Sequence, residues 1–142
     1  MSSALEEKDA IRDVLSEYCF CLDGGLHAEM AALFTPDGVW ETAFGSGEGR
    51  EGIRALLGRI GRPSGTEPRA VHLVGNILIK LDGDTAQVKS NWVEPQNSRR
   101  GPVIEAAGAY YDQMVKLDGK WMFKHRRIDR FVADTRGPAH AS

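Results

Sequence analysis

The sequence predicts an α+β fold in which N-terminal helices pack on one face of a curved, mainly antiparallel sheet. In the first part of the chain, apolar residues recur with a helical period from Leu5 to Leu22. From residue 70 onward, four long strand-like segments follow, and two of their joins are Asp-Gly turn sequences. Helices followed by an antiparallel meander are typical of the α+β class.

The first helix is predicted to begin after Ser2 or Ser3, whose hydroxyl can accept the free backbone N–H groups of a helix start. It is predicted to end at Gly24 and Gly25, because glycine is favoured at helix C-termini. The apolar residues between these ends form a stripe with a period near 3.6 that should face the sheet. They are Leu5, Ile11, Val14, Leu15, Tyr18 and Leu22.

Shorter elements are predicted between the first helix and the sheet. Residues 28–33 and 50–60 have helical patterns, and residues 39–44 are typical of a short strand. Residues 34–38 contain proline and Asp-Gly, so they are predicted to form a turn. The glycine-rich residues 45–49 are predicted to be a flexible connection.

Four long strands are predicted in the second half of the chain. A loop rich in glycine and proline, at residues 61–68, precedes them and is predicted to form a mobile rim beside the site. Residues 95–102 are predicted to be a longer connection inside the meander. The predicted strands are 70–81, 85–94, 103–117 and 121–132.

A single domain is predicted over residues 1–133, because 142 residues suffice for one core and no repeat or linker divides them. Residues 134–142 are predicted to be a loosely ordered tail. Cys19 and Cys21 are two positions apart on the first helix and point about 200° apart, so they cannot form a disulfide there. They are predicted to be buried or half-buried thiols of a reducing compartment.

Composition excludes several functional classes. The net charge is −2 with both signs interspersed, which gives no electrostatic footprint for nucleic acid. No apolar run reaches the roughly 18 residues of a membrane span, and the acidic N-terminus is unlike a signal peptide, so we expect a cytoplasmic protein. Metal-ligand spacings, a serine elbow and a dinucleotide fingerprint are all missing, so no metal or cofactor is predicted.

His72 and Asp23 are the candidate catalytic residues. His72 opens the first long apolar segment, and an imidazole there needs a hydrogen-bond partner. Asp23 lies at the edge of the apolar stripe near the end of the first helix, where the helix dipole disfavours an acid. A carboxylate that fixes one ring nitrogen leaves the other free as a base. The alternative is a structural histidine with backbone or water partners.

Five short phrases spread along the chain carry a family resemblance. They are Ile11-x-x-x-Leu15-x-x-Tyr18-x-x-x-Leu22-Asp23, Leu33 to Trp40, His72 to Asn76, Gly108 to Asp112, and Asp118 to Trp121. In this order they resemble the SnoaL-like branch of the nuclear-transport-factor-2-like (NTF2-like) superfamily. The resemblance implies a cone-shaped α+β barrel with a cavity between the helices and the sheet.

The resemblance also bears on residue roles. Scytalone dehydratase and hexachlorocyclohexane dehydrochlorinase use a His–Asp dyad, and Asp23 and His72 fall on its two positions. Scytalone dehydratase has tyrosines where this sequence has Trp40 and Leu22, which argues against scytalone as the substrate. Tyr18 could supply a hydroxyl instead.

Six residues are predicted to bind the substrate around the dyad. Tyr110 and Tyr111 are neighbours on one strand, so one faces inward and the sequence leaves open which one. Asn76 shares the alternation of His72, and His125 shares that of the aromatic residues before it on the last strand. Core or surface positions are the alternatives for all of them. The predicted substrate-binding residues are Tyr18, Trp40, Asn76, Trp92, Tyr110 and His125.

These features favour a cofactor-independent lyase or isomerase that acts on a small, largely apolar, cyclic molecule. The alternatives are a non-catalytic ligand-binding or dimerisation module and the small subunit of an aromatic-ring hydroxylase. The strand at residues 103–117 has apolar residues on both faces, so a second copy is expected to cover the outer face. We predict a homodimer packed sheet against sheet, with Arg126, Arg130 or Gln113 near its rim.

Overall fold

The computed structural model describes residues 2–65 and 67–133, so the predicted tail at 134–142 lies outside the described residues. Three helices and six strands occur in the described residues. In chain order they are α1 Ala4–Gly24, α2 His27–Ala31, β1 Phe34–Thr42, β2 Gly45–Glu48, α3 Gly49–Ile60, β3 Leu73–Asp82, β4 Thr85–Ser98, β5 Gly101–Leu117 and β6 Lys120–Ala133.

The six strands form one mixed, mainly antiparallel sheet in the order β2-β1-β6-β5-β4-β3. β1 lies beside β6 in parallel, with Trp40 opposite Arg126, and every other pair is antiparallel. The predicted α+β class is therefore confirmed. The parallel pair joins the early strands to the end of the meander, so residues distant in sequence meet in the centre of the sheet.

Helix α1 has the predicted ends. The Ser3 hydroxyl accepts the Glu6 backbone N–H, and the Glu6 carboxylate accepts the Ser3 backbone N–H in return, which forms a capping box. Gly25 closes the helix in the left-handed region at φ 66°. A side chain at Gly25 would clash, because a Cβ there would lie 2.6 Å from the Pro63 carbonyl oxygen. The end of α1 is thus packed tightly against the loop after α3.

The predicted apolar stripe of α1 packs against the sheet, except at its first turn. Ile11, Leu15 and Tyr18 are fully buried, whereas Leu5 lies beyond the covered part of the sheet and is 77% exposed. Cys19 and Cys21 are buried free thiols, as predicted. Burial raises the pKa of Cys19 to about 11, which keeps it in the unreactive thiol form at neutral pH.

The region between α1 and α3 contains more strand than the sequence predicts. β1 begins at Phe34, so the predicted turn at 34–38 is an irregularity inside a strand, where the register with β6 shifts between Phe34 and Val39. The predicted flexible connection at 45–49 is mostly β2, which forms a hairpin with β1. The second helix is shorter than predicted and covers His27–Ala31.

The meander also differs from its predicted boundaries. β4 and β5 extend through most of the predicted connection at 95–102 and leave only residues 99–100 as the turn. β3 begins at Leu73, so His72 precedes the strand, and Ala70 forms only an isolated bridge with Gln96. The long β4–β5 pair adds Gln96 to the inner face of the sheet.

An irregularity in β6 changes which of its residues face inward. On β6, Gln113 pairs with His125 but Met114 pairs with Phe123, so Lys124 is an extra residue. The alternation reverses there, as it does across a β-bulge. The inner residues are therefore Trp121, Phe123, Arg126, Ile128 and Arg130. The prediction that Arg126 and Arg130 lie at the rim of an outer face is wrong for this reason.

Arg126 lies in the core under the helices. Its Nε and Nη2 donate to the two carboxylate oxygens of Asp112 at 2.7 and 3.0 Å, and both side chains are 0% exposed. Its guanidinium carbon lies 4.2 Å from the ring centre of Tyr18, 3.7 Å from that of Tyr110 and 4.4 Å from that of Phe123. A buried cation therefore supports the aromatic rings of the inner face.

Candidate functional site

An open cavity of about 120 Å³ lies between α1, α3 and the inner face of the sheet. Its walls are mainly aromatic and aliphatic, with a few charged or amide side chains among them, a composition typical of small-molecule sites. The residues that line it include Tyr18, Leu22, Trp40, Leu57, His72, Trp92, Glu94, Gln96 and Tyr110.

Asp23 holds His72 through three contacts at the cavity wall. Its carboxylate accepts the backbone N–H of His72 at 3.0 and 3.2 Å. The same carboxylate lies 2.6 Å from the ring Nδ1 of His72. Asp23 comes from the last turn of α1, so helix α1 fixes both the position of His72 and the orientation of its imidazole ring. The structure brings together the two side chains that the sequence pairs.

Glu94 occupies the second nitrogen of the imidazole. Its Oε1 lies 3.0 Å from Nε2 of His72, and the side chains of Glu94 and His72 are about equally buried, at 16% and 15% exposed. Sequence reasoning missed Glu94. The available signal was alternation, since Glu94 lies two residues after Trp92 on β4 and therefore on the same face.

His72 is a cation at neutral pH in this environment. Burial lowers the pKa of His72, but hydrogen bonds to Asp23 and Glu94 and the charges of the two carboxylates outweigh that effect and raise the pKa to about 9. The sequence predicts a free base at the ring nitrogen that Asp23 does not hold; in the structure that nitrogen, Nε2, lies 3.0 Å from Glu94. Asp23, His72 and Glu94 form a carboxylate–imidazolium–carboxylate row.

Four of the predicted substrate-binding residues line the cavity. The Trp40 Nε1–H donates to the Tyr18 hydroxyl at 2.9 Å, which fixes one aromatic corner. Trp92 stacks on Tyr110 with ring centres 5.9 Å apart, which forms a second corner, and Tyr110 is therefore the inward-facing tyrosine of its pair. Burial raises the pKa of both Tyr18 and Tyr110, so both phenols stay neutral.

The other two predicted substrate-binding residues lie outside the cavity. Asn76 has a left-handed backbone, with φ 50°, at the register shift of β3, so its exposed side chain bonds Asn91 instead. His125 lies on the outer face because of the extra residue at Lys124, and its Nε2 is 2.9 Å from Glu41. The alternation that predicted both positions is broken just before each residue.

The cavity also has a polar part that the sequence did not indicate. Arg62 and Arg130 line it, and neither forms an ion pair within the described residues. Trp92 Nε1 and Gln96 Oε1 are buried and lack a hydrogen-bond partner among the described residues. These groups can recognise polar atoms on a ligand whose remaining surface is apolar.

Two further structural findings concern the described residues alone. No group of three or more His, Cys, Asp or Glu side chains in residues 2–65 and 67–133 is arranged to hold a metal ion. Within the same ranges, none of the helices combines the length and the apolar character needed to cross a membrane.

The fold and the site define a small α+β domain with an open, aromatic-lined cavity and a His–carboxylate cluster in its wall. The sequence profile of the SnoaL-like domain matches residues 3–127, so the chain belongs to the SnoaL-like domain family. Its fold is the NTF2-like fold, also described as cystatin-like. The predicted resemblance is confirmed. No curated protein sequence matches the chain.

Solved structures give the same fold. A protein of unknown function from Mycobacterium tuberculosis, solved as an aspartate-to-asparagine variant, is 25% identical, with a TM-score of 0.80 over 98% of this chain and 86% of that one. A protein from Novosphingobium aromaticivorans, provisionally named a scytalone dehydratase, is 28% identical, with a TM-score of 0.74 over 90% and 86% of the two chains.

A third solved structure contains a ligand. It is a protein from Catenulispora acidiphila in complex with S-DNPA, 19% identical, with a TM-score of 0.75 over 89% of this chain and 94% of that chain. At this identity the similarity concerns the fold alone.

Proposed function

We propose that this chain is a cofactor-independent enzyme of the lyase or isomerase type. Its substrate is a small, largely apolar, cyclic molecule, and the Asp23–His72 dyad serves in the proton transfer. The single observation that carries the proposal is the triple contact of Asp23 with His72, which fixes a charged imidazole beside an open apolar cavity.

The chemistry follows from the arrangement. Asp23 accepts a hydrogen bond from the Nδ1–H group of His72, so the tautomer and the ring orientation are fixed and the imidazolium charge is stabilised. Nε2 is then the nitrogen that faces Glu94, which lines the cavity together with His72. The aromatic walls lower the polarity around a bound molecule, which strengthens each electrostatic interaction of the dyad with it. An open cavity supports catalysis over a purely structural role, for which a filled interior would suffice.

Replacing His72 by glutamine is expected to reduce turnover by about 100-fold or more, the usual range for loss of an acid–base group. The substrates to screen are cyclic ketones with a β-hydroxyl group, whose loss of water gives a conjugated product that absorbs in the ultraviolet. Binding is followed separately through the fluorescence of Trp40 and Trp92, which line the cavity.

The matched control is His125→Gln, because His125 also contacts a glutamate but lies on the outer face. This variant should keep wild-type turnover. The Asp23→Asn variant should lose turnover as His72→Gln does, while ligand affinity changes only a few-fold in both. Full activity of His72→Gln on the identified substrate would rule out the proposed function.

We also propose that the protein is a homodimer packed through the outer face of the sheet. Leu78 is 67% exposed on this face and borders a groove that Tyr111 and Gln113 also line. Light scattering should give twice the chain mass of 15.6 kDa at micromolar concentration. Leu78→Lys should shift the mass toward the monomer, whereas Leu5→Lys, at the 77% exposed start of α1, should not. A wild-type monomer would refute the dimer.

A further inference from the structure

We propose that Glu94 is a catalytic residue of this site, which takes a proton from the substrate carbon while His72 donates one to the substrate oxygen. This inference rests on the proposed function, and it assigns the two halves of the proton transfer to two side chains. The substrate class that it implies is a cyclic carbonyl compound with an acidic C–H bond beside the carbonyl. A β-hydroxyl group is the leaving group when the reaction is an elimination.

The position of Glu94 supports this role. Glu94 and His72 both line the cavity, whereas Asp23 does not. The row of contacts therefore runs from the wall, at Asp23, to the cavity, at Glu94. In such a row the first carboxylate orients the imidazole, and the last group is the one that meets the ligand.

The partners of Glu94 support it as well. Its contact with His72 at 3.0 Å is its only hydrogen bond or ion pair within the described residues. The side chain is 16% exposed, and its second oxygen is not among the fully buried unpartnered atoms, so that oxygen remains accessible. One contact leaves acceptor capacity for a ligand.

The charges at the cavity separate the two roles. His72 already carries both ring protons at neutral pH, because its pKa is raised to about 9 by the two carboxylates despite its burial. A protonated imidazole cannot accept another proton, but it can donate one. Of the two groups at the cavity, Glu94 is therefore the proton acceptor and His72 the proton donor.

The proton balance closes without another reactant. Glu94 takes the proton of the C–H bond, and the electron pair of that bond forms a C=C bond. The C–O bond to the β-hydroxyl group breaks, and the departing oxygen takes the electron pair and the Nε2 proton of His72, which releases water. Glu94 is then protonated and His72 neutral. Transfer of one proton across the 3.0 Å contact restores the starting state.

The surrounding charged groups do not compete for these roles. Arg62 follows α3 and Arg130 comes from β6, and guanidinium groups stay protonated throughout the useful pH range. Tyr18 on α1 and Tyr110 on β5 are neutral phenols because burial raises their pKa values. Asp23 is already engaged by the backbone and ring of His72. His72 and Glu94 are therefore the groups at the cavity that act as the acid and the base.

The test uses 5-nitrobenzisoxazole, a small planar bicyclic probe. A base that removes the C–H proton of the isoxazole ring, at the carbon next to nitrogen, causes the N–O bond to break. The oxygen then leaves as a coloured phenolate. The probe needs a base but no proton donor. Glu94→Gln is expected to lower kcat/KM at pH 7 by about 100-fold or more. Glu41→Gln, which changes the outer Glu41–His125 pair, is expected to change nothing.

A mechanism in which His72 is the base predicts the opposite change in the reaction rate of Glu94→Gln. If neutral His72 were the base, Glu94→Gln would lower the pKa of His72, free its Nε2 and make the reaction at pH 7 faster. A Glu94→Gln variant at least as fast as wild type, together with a slow His72→Gln variant, overturns the role of Glu94 and leaves the Asp23–His72 proposal standing. No acceleration by wild type, or no loss in Glu94→Gln, overturns the role of Glu94, whereas the turnover of His72→Gln on a β-hydroxy ketone decides the Asp23–His72 proposal separately.

Two measurements show that the variant is folded. The thermal midpoint of Glu94→Gln should stay near that of wild type at pH 9 and above, where His72 is losing its charge. An NMR titration of the His72 imidazole should give a pKa below the wild-type value of about 9 but with the ring still held by Asp23. Glu94→Asp keeps the charge on a shorter side chain, so it should retain part of the activity.

Discussion

Replacing Asp112 by asparagine is expected to lower the free energy of unfolding by about 3 to 5 kcal/mol, a large loss for a substitution that preserves the shape of the side chain. The substitution leaves Arg126 charged in the core with no anion to balance it. Arg126 cannot shed its proton to avoid this cost, because a guanidinium group stays protonated in proteins even when it is buried. Urea unfolding monitored by tryptophan fluorescence measures the loss.

The control is Asp129→Asn on β6. Asp129 pairs with Arg127 at 3.1 Å, but the two side chains are 37% and 47% exposed. Exposed pairs contribute about 0 to 1 kcal/mol, so this variant should differ little from wild type. The double variant Asp112→Leu with Arg126→Met should recover most of the stability, since it removes both charges. An Asp112→Asn variant as stable as Asp129→Asn would contradict the account of the core.

Stability is expected to fall as the pH rises from about 6.5 to about 9, by roughly 3 kcal/mol in total. The folded protein raises the pKa of His72 from 6.5 to about 9 through Asp23 and Glu94, against the opposing effect of burial. Below pH 6.5 both the folded and the unfolded chain carry the proton, so the charged row of Asp23, His72 and Glu94 contributes its full stabilisation to the free energy of unfolding. Above pH 6.5 only the folded state keeps the proton, and the contribution disappears by about pH 9.

Urea unfolding at a series of pH values between 6 and 9 checks this prediction. His72→Gln should abolish most of the slope, and Glu94→Gln should reduce it, because one of the two anions is removed. His125→Gln should leave the slope unchanged, since His125 is outside the cavity. A wild-type stability independent of pH over this range would mean that His72 is neutral in the folded protein.

The fold was predictable from the sequence because periodicity and glycine positions are local signals. The stripe from Ile11 to Tyr18 and the cap at Gly25 define α1, and Asp-Gly turns separate the long strands. The region from Phe34 to Glu48 was harder to predict. Its strand character comes from pairing with β6, far along the chain, and that pairing leaves no trace in the local sequence.

The site was predictable only as far as regular alternation extends. The sequence placed His72 and Trp92 at the cavity, and both line it in the structure, because no extra strand residue precedes either of them in its segment. Asn76 and His125 were misplaced, because one extra residue in β3 and one in β6 reverse the faces. The same reversal brings Arg126 inward. The position of an extra strand residue is defined by how the strand pairs with its neighbour, and this pairing cannot be inferred from the alternation pattern of one sequence.

The parallel pairing of β1 with β6 has a consequence for how the protein is made. Phe34 pairs with Phe123, and Trp40 pairs with Arg126, so the centre of the sheet requires residues from both ends of the chain. Contacts of such long sequence separation form late, because the intervening loop must close first. In a nascent chain whose last strand is still in the ribosome, helix α1 therefore lacks the sheet against which its buried residues pack. Ligand binding can begin only after the last strand has emerged, and chaperones have that interval in which to act.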